Sequence, residues 1–224
     1  SVLVTNFNRE GLTHDDVREI LKIIDEMTED LALAFRCFGV RRLTKMLEPT
    51  VVDDETLRDG LQSPTVSDPS IEAKIQLMHL MEDLGIQMLD IGLPGAGPRA
   101  YADSLALATE ISRSRLKIRP NCAARTTIQD IDPILDIAQK TGVEIDAATF
   151  LGSSMIRQYV ENWTMDDLLR RTEEAVTHAI SRGVPVMYVT EDTSRAFPET
   201  IKKLYSTAIR CGAGFGCDPS DRER

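Results

Sequence analysis

"VVDDETLRDGLQSP", residues 51–64, is the stretch on which the fold of this chain turns. It opens on a β-branched pair, as a buried strand does, then carries Asp53, Asp54, Glu55, Arg58 and Asp59 before Gly60 and the turn at Ser63-Pro64. So much charge at the end of a buried strand fits one place above all, the carboxyl end of a strand in a parallel α/β sheet, where working residues gather. Arg58 beside Asp59 makes a specific tool. A carboxylate can hold a divalent cation, and a neighbouring guanidinium can fork onto a substrate carboxylate or neutralise a developing enolate oxygen. The plain alternative is a salt-bridged pair at a sheet rim.

Working outward, apolar β-branched runs begin near Val51, Ile86, Leu116, Val143 and Val184, roughly 27 to 41 residues apart, each followed by a segment of helical period. Gly85, Gly142 and Gly183 stand where a helix should stop. Asp68 is a candidate cap for the first helix, with Pro69 in its first turn and Ile71, Ile75, Met78 and Leu84 as its apolar stripe. Thr164 and Asp167 suit a capping box ahead of Leu168, Leu169, Ala175, Val176, Ala179 and Ile180, and a helix is predicted over Pro198 to Arg210. Strand-helix alternation argues for a parallel sheet, doubly wound or closed as a (β/α)₈ barrel. "GLPGAG", residues 92–97, misses the dinucleotide spacing, so the barrel is preferred.

The expected organisation is a helical N-terminal extension over residues 1–48 and a partial TIM-barrel domain over 49–224. In the extension, Thr13 and Asp16 suit a capping box, with Val17, Ile20, Leu21, Ile24, Met27 and Leu31 at helical spacing, and a second short helix is predicted from Cys37 to Leu47. Five units follow, and Gly212 announces a sixth strand, but "AGFGCDPSDRER" then runs glycine-rich and charged. A complete barrel of about 250 residues needs two or three more units. The sequence therefore reads as C-terminally truncated.

A chain of 224 residues with 42% hydrophobic and 28% charged content is an ordinary globular one, and a net charge of −10 without a basic cluster argues against a nucleic-acid partner. No apolar run or signal pattern supports a membrane or secretory route. The four cysteines, Cys37, Cys122, Cys211 and Cys217, form no CxxC pair, which favours reduced thiols and a cytoplasmic setting.

The predicted strand ends carry a consistent polar set: Asp54, Glu55, Arg58, Asp59 and Gln62; Asp90; Asn121 and Arg125; Thr149, Ser153 and Ser154; Thr190, Glu191, Asp192 and Arg195. Taken singly, such residues more often cap helices than bind substrate. Taken together they resemble a family. "DETLRDGLQSP" is similar to the D-x-T-L-R-D-G-x-Q signature of the metal-dependent barrel superfamily of isopropylmalate, homocitrate and citramalate synthases and hydroxymethylglutaryl-CoA lyase. "LDIGLPGAGP", "NCAARTTIQDI", "TFLGSSMI" and "VTEDTSRA" resemble its later strand-end segments, so the likeness runs from residue 50 to about 213. "EDTSR" and "GSSMI" favour the synthases, while Leu61, where many synthases carry an acid, leans toward the lyase.

The resemblance implies an acyltransferase of amino-acid biosynthesis that condenses acetyl-CoA with a 2-oxo acid, assembled as a homodimer. It assigns Asp59 to a divalent metal (Mg, Mn or Zn), Arg58 and Glu191 to catalysis, and Gln62, Asp90, Arg125, Thr149 and Ser153 to substrate contacts or loop support. The family's H-x-H metal pair has no counterpart here, because the histidines are His14, His79 and His178. On that basis the chain as it stands is expected to bind metal weakly and to be inactive, or to be part of a longer protein. A lyase of the same superfamily and a non-catalytic half-barrel that associates through open strand edges are the alternatives.

Overall fold

A computed structural model describes residues 2–5 and 51–214. Six parallel strands lie along these residues, with helices between them from residue 51 onward. The strands are β1 (Val2–Thr5), β2 (Val51–Asp54), β3 (Met88–Asp90), β4 (Arg119–Arg125), β5 (Asp146–Gly152) and β6 (Val186–Glu191). The helices are α1 (Ile71–Leu84), α2 (Pro98–Ser114), α3 (Ile128–Thr141), α4 (Met155–Glu161), α5 (Met165–Ser181) and α6 (Pro198–Arg210). All five strands read from the sequence are present, each starting within three residues of its predicted onset, and α6 spans the predicted residues. The fold is a partial (β/α)₈ barrel.

The residues divide into two compact units, Ser1–Asp90 with Leu116–Arg119, and Ile91–Arg115 with Pro120–Arg224. In the first unit β1 pairs in parallel with β2 from Val2↔Val51 to Thr5↔Asp54, and β2 pairs with β3 through Asp53↔Met88 and Asp54↔Leu89. Residues 2–5 were not read as a strand. The "VLVT" run is β-branched, but the helical period that starts at Thr13 dominates that end of the sequence. The helices predicted from Thr13 to Leu31 and from Cys37 to Leu47 lie outside the described residues.

Helix α1 begins two residues later than Asp68 would have it. Ser70 is extended at φ −66°, ψ 158° and its hydroxyl accepts from the Ala73 N–H, so the cap is Ser70. Asp68 instead pairs with the buried Lys74 at 2.7 Å. Met78 and Met81 form the buried stripe of α1, while Ile71, Ile75 and Leu84 are half-covered. Gly85 ends the helix at φ 82°, a left-handed conformation that a side chain would strain.

In the second unit β4 pairs with β5 from Asn121↔Asp146 to Arg125↔Phe150, and β5 with β6 from Ala147↔Val186 to Gly152↔Glu191. Its core is built from Ile131, Ile134 and Ile137 of α3, Leu168, Val176 and Ala179 of α5, and Leu204 and Ala208 of α6, all buried. The predicted capping box forms: Thr164 Oγ1 accepts from the Asp167 N–H, and Asp167 accepts from the Thr164 N–H. The Thr164 hydroxyl, which also donates to the Asp167 carboxylate, and then the Thr164 N–H hold that carboxyl down to about 2. Cys122 is buried in β4 and Cys211 is half-covered at the end of α6. Among the described residues no helix is long and apolar enough to cross a membrane.

Candidate active site

The signature stretch folds as strand, turn and one turn of 3₁₀ helix (Gly60–Gln62). Asp54 closes the strand with its carboxylate on the Thr56 N–H at 2.8 Å, and the Arg58 and Gly60 N–H groups both donate to the Glu55 carbonyl. This tight turn returns Arg58 over the strand ends. Its Nε donates to Asp90 at 2.8 Å, one Nη donates to Glu55 at 2.7 Å, and the other reaches Asp59 at 3.4 Å. Asp90, at the end of β3, is 1% exposed and Arg58 is 20% exposed, whereas Asp59 is 54% exposed.

The electrostatics follow from that arrangement. Burial opposes the charge on Arg58, yet Asp90, then Glu55 and Asp59, outweigh it and raise the pKa of the guanidinium. Glu55 is raised as well, because burial of its carboxyl exceeds the pull of Arg58, with Asp59 adding like-charge repulsion. The product is a guanidinium held by Asp90 and Glu55 beside the accessible carboxylate of Asp59. Asp90 thus orients Arg58, and its carboxylate is engaged there. Gln62 is exposed at the end of the 3₁₀ turn.

In the second unit the remaining predicted residues fall into different roles. Arg125 is bound by one acid, with Nε and Nη2 on the two oxygens of Asp130 at 2.7 and 2.8 Å, and Asp130 also accepts the Arg125 N–H. That carboxylate raises the Arg125 pKa. The GLPGAG turn packs on this pair so closely that a Cβ on Gly95 would meet the Asp130 backbone at 2.9 Å, which is why glycine stands there. Ser153 ties β5 to β6, its N–H and hydroxyl both donating to the Glu191 carbonyl. Thr149 lies level with Tyr188, whose hydroxyl meets Thr172 of α5, so this residue faces the helices. Its hydroxyl is buried without a hydrogen-bond partner among the described residues. Glu191 is exposed at the end of β6, lining a cleft with Arg125, Phe150, Arg157, Trp163 and Arg171. Trp163 and Arg171 were not anticipated, since nothing in a helix-period segment marks which polar residue will turn toward a strand end.

Residues 50–215 match the HMGL-like family. The chain belongs to that family. Among curated HMGL-like relatives, homocitrate synthase AksA of Methanopyrus kandleri is 31% identical over 168 residues, 74% of this chain and 40% of the relative. A 2-isopropylmalate synthase of Solidesulfovibrio magneticus is 33% identical over 163 residues, covering 71% of this chain and 30% of that protein. The chain therefore spans two-fifths or less of the length of these synthases. In fold, the HMG-CoA lyase of Brucella melitensis superposes with a TM-score of 0.53 at 18% identity, over 70% of this chain and 56% of the lyase. That likeness shows the incomplete TIM barrel of the HMGL-like fold.

Proposed function

We propose that this HMGL-like chain contributes to an acyltransferase that condenses acetyl-CoA with a 2-oxo acid. The observation that carries the reading is the Arg58 clamp: a guanidinium held by Asp90 and Glu55 next to the half-exposed carboxylate of Asp59. The synthase names of the relatives near 30% identity support the same reaction class.

In this reading a 2-oxo acid sits with its oxygens against Arg58. The fixed charge stabilises the oxyanion that develops on the keto oxygen as the thioester enolate attacks, and it needs no reorganisation because Asp90 and Glu55 already hold it. Asp59 offers one hard oxygen donor to a divalent cation, which when bound would polarise the keto carbonyl. Asp59 is assigned as one ligand of that cation, and among the described residues no three His, Cys, Asp or Glu side chains gather as a metal centre. Gln62 supports the Arg58 turn, Arg125 and Ser153 hold the ends of β4 and β5, and Glu191 is the acid for ordering water or relaying a proton.

The test is thiol release by the full chain, and by any longer protein that carries it, from acetyl-CoA with pyruvate, 2-oxoisovalerate or 2-oxoglutarate. Release with one of these acids supports the reading, and silence with all three in the longer protein contradicts it. Leu61 favours a second reading, cleavage of a 3-hydroxy-3-methylglutaryl thioester, which would appear as acetoacetate formed without an added oxo acid.

A further inference from the structure

We propose that the cleft formed in the second unit by the β4–α3 turn, the end of β5 and the start of α5 binds the phosphate group of a phosphorylated ligand, with Arg171 as its anchor. The inference stands on this cleft alone and does not depend on the acyl-transfer reading.

Three arginines line the space, and two of them already hold an acid. Arg125 pairs with Asp130 and Arg157 with Glu161, while the neighbouring Arg170, outside the cleft, pairs with both Asp167 and Glu174. Arg171 is the exception. It is half-buried, its Nε is sealed from solvent, and that atom has no hydrogen-bond partner among the described residues. Its guanidinium carbon lies 4.5 Å from the centroid of the Trp163 ring. Stacking on the indole attracts the cation and fixes its plane, but it leaves the charge unneutralised and the donor edge unused. A sealed cationic donor without an acceptor is costly, and a chain with a net charge of −10 has many acids that could have met it. Glu161 and Glu191 line the same cleft without pairing with Arg171. Nε itself is closed to an outside anion, so the part of Arg171 that can meet one from the cleft is the rest of its guanidinium, which no acid among the described residues holds.

The surroundings favour phosphate over carboxylate. The cleft, of about 240 Å³, is also lined by Thr127, which opens α3 and whose side chain makes no capping bond. A tetrahedral dianion can use a guanidinium fork from one side with a hydroxyl and helix N–H groups from another, whereas a carboxylate in one plane is satisfied by a single fork.

Trp163 is the only tryptophan of the chain, so its emission reports this cleft directly. Titration of the full chain with inorganic pyrophosphate at constant ionic strength should give a saturable change in emission, with the same affinity by calorimetry. Arg171→Ala should weaken binding about tenfold or more, and Arg171→Lys by less, since an ammonium keeps the charge and loses the fork. Arg170→Ala, whose partners are on the exposed surface, should change it less than about twofold. ADP binding tighter than pyrophosphate would assign the phosphate to a nucleotide, and equal affinity to a smaller ester. No saturable signal with pyrophosphate, equal affinity for malonate, or a calorimetric affinity unchanged in both folded Arg171 variants would overturn the proposal.

Discussion

Arg58 and Arg125 stand at or just past the carboxyl ends of two strands and are held in opposite ways. Arg58 spreads its donors over Asp90, Glu55 and Asp59, and it is 20% exposed. Arg125 gives its donors to Asp130 alone and is 60% exposed. Distribution over several acids fixes the first guanidinium while leaving Asp59 accessible. The bidentate pair of the second closes on itself, and with Gly95 packed against Asp130 it braces the start of α3. The same residue type near two strand ends is thus shared among several acids in one case and closed into a pair with one acid in the other.

The largest effect that can break this contrast is on turnover. Arg58→Ala should lower acyl transfer about a thousandfold in the thiol-release assay, the usual scale for losing an oxyanion donor, while Arg125→Ala should lower it far less. On stability the order follows burial. Asp90→Ala removes the buried partner of Arg58 and should cost about 3 kcal/mol by chemical denaturation. Asp130→Ala leaves an exposed arginine that water can solvate, and it should cost about 1–2 kcal/mol, mainly through the lost Arg125 N–H bond. Thr164→Ala, remote from both arginines, should cost about 1 kcal/mol through its helix cap.

A pH titration sharpens the comparison further. The folded-state pKa of Glu55 is raised, chiefly by burial, so the folded state holds that proton more tightly than the unfolded chain. Its contribution to stability is therefore fully present below the unfolded value near 4.5 and is lost as the pH rises through the folded value. Glu55→Gln should remove this dependence in denaturation curves measured across that window. Tyr188 provides a second check. Burial pushes its hydroxyl up to about 12, so its contribution is complete below the ordinary value of 10.0 and disappears as the pH climbs past 12, visible as one late-ionising tyrosine.

The strands from β2 to β6 and the helix stops at Gly85 and Gly142 were legible because β-branched runs, terminal glycines and capping residues act locally. Thr164 with Asp167 and the helix Pro198–Arg210 are direct cases. The contact between Arg58 and Asp59 was legible because the two are adjacent in the signature. Thr149 shows the limit. β5 is a continuous buried run in which both faces read alike, so only register with Tyr188 reveals which face a residue takes. The cap of α1 shows another: Asp68 and Ser70 both suit the role, and only the ion pair to Lys74 removes Asp68 from it. Arg171 and Trp163 meet across a helix start, and no local pattern records that meeting.

The account rests on Arg58 as the group that meets the substrate oxyanion. Calorimetric titration of the full chain with a 2-oxo acid in the presence of a manganese salt tests this without requiring turnover. Binding by the parent chain and by Arg125→Ala, with loss in a folded Arg58→Ala variant, is the outcome expected. Equal affinity in the Arg58→Ala variant would contradict the assignment.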